Sequence, residues 1–287
     1  MTQFSVYSNI PGSQILSSSP ASPSGVVDGR DAVRPGVRLR SGWRAWTDLI
    51  WPVACAGCGR PGVPACAPCR AAVAGPAFST PVVGWPRGWE AWAACGYRGT
   101  AARMLIAWKE RGQFDLTEPL SVGLGAAVRA CRAARGDPSE PWLLVPVPTT
   151  RAARRRRGAD LMAELTRRAA LACRPGAAGE YLGEPHWVGP PARPVQALDH
   201  LRRVRDQGAL GAFERRKNLR GALVVRSCRR SEVVGRPCVV VDDVVTTGTT
   251  AAEAARALTS AGARVVGACF LSVTLRRQGV PEEGCRD

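Results

Sequence analysis

Residues 238–250 read Cys-Val-Val-Val-Asp-Asp-Val-Val-Thr-Thr-Gly-Thr-Thr, and no other stretch of the chain restricts the fold as much. An unbroken run of β-branched residues suits a strand covered on both faces, as in a parallel sheet with helices on either side. Two carboxylates follow at its C-terminal end, then a turn with one central glycine. Thr249–Ala261 next has helical spacing and stops at Gly262, and Arg264–Val273 returns as a strand. Strand, helix and strand in this order predict an α/β domain with a mainly parallel sheet.

The same stretch predicts a binding site. Open α/β sheets bind ligands outside the carboxyl ends of their strands. Main-chain N–H groups of a glycine turn and of the helix it opens favour an anion. Thr246, Thr247, Thr249 and Thr250 add hydroxyl donors, and Gly248 permits an unusual φ and a close phosphate approach. Asp242 and Asp243 can accept hydrogen bonds from a vicinal diol such as that of ribose. One ligand carrying a phosphate beside a ribose would satisfy both halves. A P-loop NTPase is excluded, because neither of the two lysines, Lys109 and Lys217, lies in a G-x4-G-K-[ST] loop. A phospho-acceptor domain would need a later lysine, and none follows Lys217. A purely structural strand and turn is the remaining alternative, but it would leave two adjacent acids buried at a cost.

Upstream stands Cys55-x2-Cys58-x7-Cys66-x2-Cys69. Two C-x2-C turns can present four thiolates to a tetrahedral structural Zn2+, with no position left open for chemistry. Reduced thiols, a redox C-x2-C pair or an iron–sulfur cluster are the competing readings. Such a short module lacks a core, so metal would supply much of its folding energy. Cys95, Cys131, Cys173, Cys228, Cys238, Cys269 and Cys285 read as buried small hydrophobes or incidental thiols.

Residues 1–40 are rich in Ser, Pro and Gly and read as a disordered tail. Residues 41–75 hold the cysteine module behind an amphipathic segment, Trp43–Ile50. Residues 75–90 form an irregular connector, 92–275 the α/β domain and 276–287 a flexible end. Within the domain, helices are expected over Thr100–Arg111, Leu116–Arg132 and Arg154–Cys173, and a buried strand over Trp142–Pro148. Residues 174–235 read as basic and loop-rich. No apolar run is long enough for a membrane span and the N-terminus lacks a signal-peptide pattern, so a cytoplasmic location is expected. The formal charge of +17 comes almost wholly from arginine and reads either as coding bias or as attraction to phosphate-rich partners. Arg151 and Arg154–Arg157 form one basic group, and Arg215, Arg216, Lys217 and Arg220 another. No aromatics interleave them, so stacking of single-stranded nucleic acid has no support beyond charge. His186 and His200 are isolated.

The fingerprint resembles that of type I phosphoribosyltransferases. The four-cysteine module, Tyr97-Arg98-Gly99 before a helix bearing Lys109, Val145-Pro146-Val147-Pro148, Arg157-Gly158, and Asn218-Leu219 with Gly221-Ala222 narrow the resemblance to the ComF (GntX-like) family over residues 45–275. It implies a Rossmann-like type I phosphoribosyltransferase fold with a small N-terminal zinc-finger-like module. It also implies binding of phosphoribosyl diphosphate (PRPP) with Mg2+. Asp242 and Asp243 would contact the ribose hydroxyls. Thr246, Thr247, Gly248, Thr249 and Thr250 would wrap the 5′-phosphate. Thr149, Thr150 and Arg151 would lie where the pyrophosphate loop begins. The family is associated with DNA uptake in competence, so the partners implied are PRPP and, for a non-catalytic member, single-stranded DNA or a motor protein. The sequence departs from the family's R-G-F-N-Q at Arg157-Gly158-Ala159-Asp160-Leu161.

Overall fold

The computed structural model describes residues 53–82, 85, 89–135, 139–174, 189–201 and 221–274. The expected tail, the Trp43–Ile50 segment, the second basic group, His186 and the C-terminal end lie outside the described residues. In chain order the elements are α1 (Ala67–Ala74), β1 (Phe78–Ser79), β2 (Glu90–Gly96), α2 (Gly99–Glu110), α3 (Thr117–Arg135) and β3 (Leu143–Pro146). Then come α4 (Arg151–Arg157), α5 (Leu161–Ala172), β4 (Arg193–Pro194), β5 (Leu198–His200), β6 (Leu223–Val225), α6 (Arg230–Val233), β7 (Pro237–Val245), α7 (Thr249–Ser260) and β8 (Arg264–Val273). No helix among the described residues is long and apolar enough to cross a membrane.

The main sheet runs β1-β2-β8-β7-β3-β4, parallel throughout except for β1 at one edge. β7 is central because its side chains are apolar on both pleats. Val239 and Val241 join Leu144, Cys269 and Leu271 under the helices that carry Trp108, Leu124 and Leu165. Cys238 and Val240 join Leu143, Val145 and Phe270 under Ala254 and Leu258 of α7. The chain leaves β7 through α7 towards β8, whereas it leaves β3 through α4 and α5 towards β4. Neighbouring strands whose connections diverge leave a crevice at their C-terminal ends, and that crevice lies between β3 and β7.

Three readings need correction. The single helix expected over Arg154–Cys173 is two helices. Gly158 adopts the left-handed φ of 70° that ends α4, and the Asp160 side chain accepts the Ala163 N–H at 3.2 Å to start α5. Residues 174–235 hold β4, the β5–β6 hairpin and α6, elements too short to show a period. The connector holds β1, paired with β2 from Phe78 opposite Ala93. Among the scattered cysteines, Cys95, Cys131, Cys173, Cys238 and Cys269 are buried and Cys228 is exposed; Cys285 lies outside the described residues.

Candidate functional site

The cysteine module is built onto the helical layer. Cys66 caps α1, Cys69 lies on it, and both join Cys55 and Val73 in the core beneath α2 and α3. A methyl group on Gly123 of α3 would stand 2.0 Å from the Val73 carbonyl oxygen, so only glycine lets α1 lie this close. Arg103 of α2 donates to the Gly57 carbonyl, and Arg70 pairs with Glu118 at 2.8 Å. The Sγ atoms of Cys55, Cys58, Cys66 and Cys69 all lie within 4.8 Å of one another. Cys66 stands 3.6 Å from both Cys55 and Cys58. A ZnS4 tetrahedron with bonds of about 2.3 Å has edges of roughly 3.8 Å, so the donor set fits zinc. Burial opposes ionisation of Cys55, but N–H groups of Cys66, Cys58 and Gly57 outweigh it and bring the thiol down to about 6. Burial and the neighbouring thiols push Cys69 well above its ordinary value. Four thiols this close cannot all ionise without a cation among them.

The second site lies in the β3–β7 crevice, a cavity of about 240 Å³. Near its C-terminal end β7 delivers Asp242 and Asp243 there, before Val244 and the buried Val245 complete the strand. β3 delivers Val147 and Pro148, followed by Thr149 and Thr150. Thr250, on the first turn of α7, closes one end, and Trp108 and Lys109 of α2 close another. Gly248 precedes α7 at φ 74°, and a Cβ there would lie 2.1 Å from Val82 Cγ1. The turn therefore demands glycine both for its backbone and for packing. Beside it, the hydroxyls of Thr247 and Thr249 share a hydrogen bond of 2.9 Å, and Thr246 is exposed.

Lys109 Nζ lies 2.5 Å from Asp243 Oδ2. Burial works against its charge, but Asp243, with help from Asp242, outweighs that and holds the ammonium above its ordinary value. Asp242 behaves in the opposite way. Removal from water and the charge of Asp243 push its carboxyl up to about 7, against the pull of Lys109 and a 2.9 Å hydrogen bond from the Asp243 N–H. The cavity thus holds one acid matched by a cation and one poised near neutrality.

α4 separates this cavity from a larger depression. Thr150, Ala153 and Arg157 line the small cavity, whereas Arg151, Arg154, Arg155 and Gly158 line the other. Arg157 ties α4 to the end of α2, donating to the Lys109 carbonyl at 2.9 Å and to Glu110 Oε1 at 2.9 Å. Asp160 accepts from Thr149 Oγ1 at 3.1 Å while capping α5. Hence Asp242, Asp243, Thr149 and Thr250 meet in one cavity, Thr246–Thr249 form the turn beside it, and Arg151 lies along the neighbouring depression.

Sequence reasoning did not pair Lys109 with Asp243, although a lysine surviving in a chain with 40 basic residues, nearly all arginine, was a usable signal. Glu253 gave no such signal. Its buried carboxylate accepts the Leu223 N–H at 3.1 Å and binds Arg256, whose guanidinium also reaches the Leu223 carbonyl at 3.0 Å. Together they fasten the β5–β6 hairpin to α7.

Among curated proteins the chain has no match. Residues 197–286 match the family model described as phosphoribosyl transferase domain. That stretch begins at the β5–β6 hairpin and contains β7, both acids, the glycine turn, α7 and β8. Over residues 197–286, within a largely parallel sheet, the chain is therefore similar to a phosphoribosyl transferase domain, and ahead of it stands a four-cysteine, zinc-finger-like cluster.

Proposed function

We propose that the β3–β7 cavity binds PRPP and that the chain, a cytoplasmic protein of the ComF type linked to DNA uptake, transfers the phosphoribosyl group to an acceptor nucleophile. The observation that carries this reading is the pair of acids near the C-terminal end of the central parallel strand, followed after Val244 and Val245 by a glycine turn that opens a helix.

In this reading Asp242 and Asp243 accept hydrogen bonds from the ribose diol. The turn Thr246–Thr250 and the first N–H groups of α7, which have no intrahelical partner, hold the 5′-phosphate. Thr149 and Thr150 face the diphosphate end. Mg2+ would be held by diphosphate and ribose oxygens with water, and would neutralise charge on the leaving group. The bond from C1 to the diphosphate oxygen breaks, a bond from C1 to the nucleophile forms, pyrophosphate leaves and the nucleophile's proton passes to solvent. The chain contributes positioning and a charge distribution suited to a ring that becomes cationic at C1. Lys109 contacts only Oδ2 of Asp243, so Oδ1 remains to accept from the diol while the ammonium stays beside the acid. The four cysteines hold a structural Zn2+ that keeps α1 against α3.

Calorimetric titration with PRPP and Mg2+ tests the reading. One equivalent should bind to the intact chain, and Asp243→Asn should weaken binding at least tenfold. Pyrophosphate release should then depend on a supplied acceptor. Absence of any PRPP binding by the zinc-loaded, folded protein would end the proposal.

A further inference from the structure

Beyond α4 lies a depression of about 1080 Å³, more than four times the volume of the PRPP cavity. Residues 151, 154, 155 and 158 fall at the i, i+3, i+4, i+7 spacing of one helical face, so a single side of α4 presents three arginines to it. Arg226, after β6, adds a fourth guanidinium, and among the described lining residues Asp199 is the one carboxylate.

The polar groups of this wall are incompletely partnered. Arg154 Nε stands 3.6 Å from Asp160, and Arg226 Nε stands 3.6 Å from Asp199. Both separations exceed hydrogen-bonding distance. Both Nε atoms are buried and, among the described residues, have no hydrogen-bond partner. His200 Nε2 lies 3.0 Å from the Pro148 carbonyl, which can only accept, so this nitrogen carries the proton. The other ring nitrogen, Nδ1, is buried without a partner among the described residues. Buried polar atoms are seldom left unsatisfied, and in the lining of one cavity two donors that suit an anion, Arg154 Nε and Arg226 Nε, gather beside one acceptor, His200 Nδ1. Among the described residues Arg151 and Arg155 are exposed and make no ion pair.

The remaining lining gives the ligand a shape. Val224, Val225 and the exposed Leu201 supply an apolar patch beside the arginines, and among the described lining residues no Trp, Tyr or Phe offers a stacking platform. A long single strand would want such platforms. A compact molecule with several phosphates and one flat apolar group fits better, since arginine grips phosphate through paired N–H donors.

We propose that this depression binds a small ligand of the nucleoside di- or triphosphate class, separately from PRPP. The site is independent of the PRPP reading, because α4 stands between the two cavities.

The test is calorimetric titration of the full chain, without Mg2+, using ATP and inorganic tripolyphosphate as probes. One equivalent of each should bind, with ATP at least as tight as tripolyphosphate because of the apolar patch. Arg151→Ala/Arg155→Ala should weaken both at least tenfold, and Asp243→Asn should change neither more than twofold. Should the double variant fail to fold, Arg155→Gln alone should weaken ATP at least threefold. The proposal is overturned if ATP does not bind, if only a single-stranded oligonucleotide binds, if Asp243→Asn rather than the arginine variants abolishes binding, or if Arg155→Gln has no effect.

Discussion

Replacing Asp242 by Asn removes the acid whose ionisation the fold resists, while keeping an oxygen for the Asp243 N–H. Burial and the Asp243 charge move this carboxyl from 3.8 to about 7. At about 1.4 kcal/mol per tenfold change, its ionised form costs the native state roughly 4 kcal/mol above pH 7. Between about pH 4 and pH 7 the folded chain holds a proton here that the unfolded chain has released, so wild-type stability falls as pH rises through that window. Asn cannot ionise and lacks this slope. Asp242→Asn should therefore match the wild type near pH 4 and exceed it by about 4 kcal/mol at pH 8, a rise of roughly 8–16 °C in midpoint for a domain of this size. The four cysteines are common to both proteins, whereas the Lys109–Asp243 pair feels the Asp242 charge, so the difference reads Asp242 together with its coupling to that pair. Urea or thermal unfolding of zinc-loaded protein at pH 4 and pH 8 measures it. An equal difference at both pH values would falsify the burial argument. The stabilised variant should also bind PRPP at least tenfold more weakly, because its amide offers a donor where a diol needs an acceptor.

Lys109→Met leaves Asp243 without its cation and should cost about 1–3 kcal/mol, less than for a fully buried pair because both side chains keep some solvent contact. Adding Asp243→Asn should recover most of that loss, and no recovery in chemical denaturation would show that the pair is not what matters. Asp243 holds the Lys109 ammonium above its ordinary value, so on the alkaline side the pair's stabilisation should persist through neutrality and fade as Lys109 deprotonates in strong alkali. Gly248→Ala places a methyl into Val82 and imposes a left-handed φ; Val82→Ala should relieve the clash and leave a residual backbone cost of about 1 kcal/mol, read from thermal midpoints. Chelation should release one zinc per chain and lower the midpoint by more than 10 °C, whereas a chain already lacking Cys69 should show no chelator response. Gly123→Ala should lower the midpoint without changing zinc stoichiometry, because it pushes on the Val73 carbonyl and not on a ligand.

The parts of the fold legible in the sequence were those that an apolar run dictates. β7, α7 and β8 could be read because Val239–Val241 and Val265–Val266 need two covered faces and Gly262 stops the helix between them. The division of α4 from α5 could not, since the arginine run keeps helical spacing through a break set by the backbone at Gly158 and a side-chain cap at Asp160. β4, β5 and β6 span two or three residues each, too few to display alternation. At the candidate site, the acids and the glycine turn were visible because they are contiguous. Their cation was not, because Lys109 arrives from a distant helix whose position depends on tertiary packing. The arginines after β3 were visible only as charge, since which side of α4 each faces follows from where that helix begins.

A short helix with a different cavity on each side cannot be turned about its axis for one alone. Were α4 to rotate by a single residue, the arginines would swing into the smaller cavity and the small side chains out of it. Its anchorage to α2, Arg157 on the Lys109 carbonyl and on Glu110, sets that angle for both. Natural variation in the two ligands should accordingly be correlated, and a sequence that loosens this anchor should lose discrimination at both pockets together.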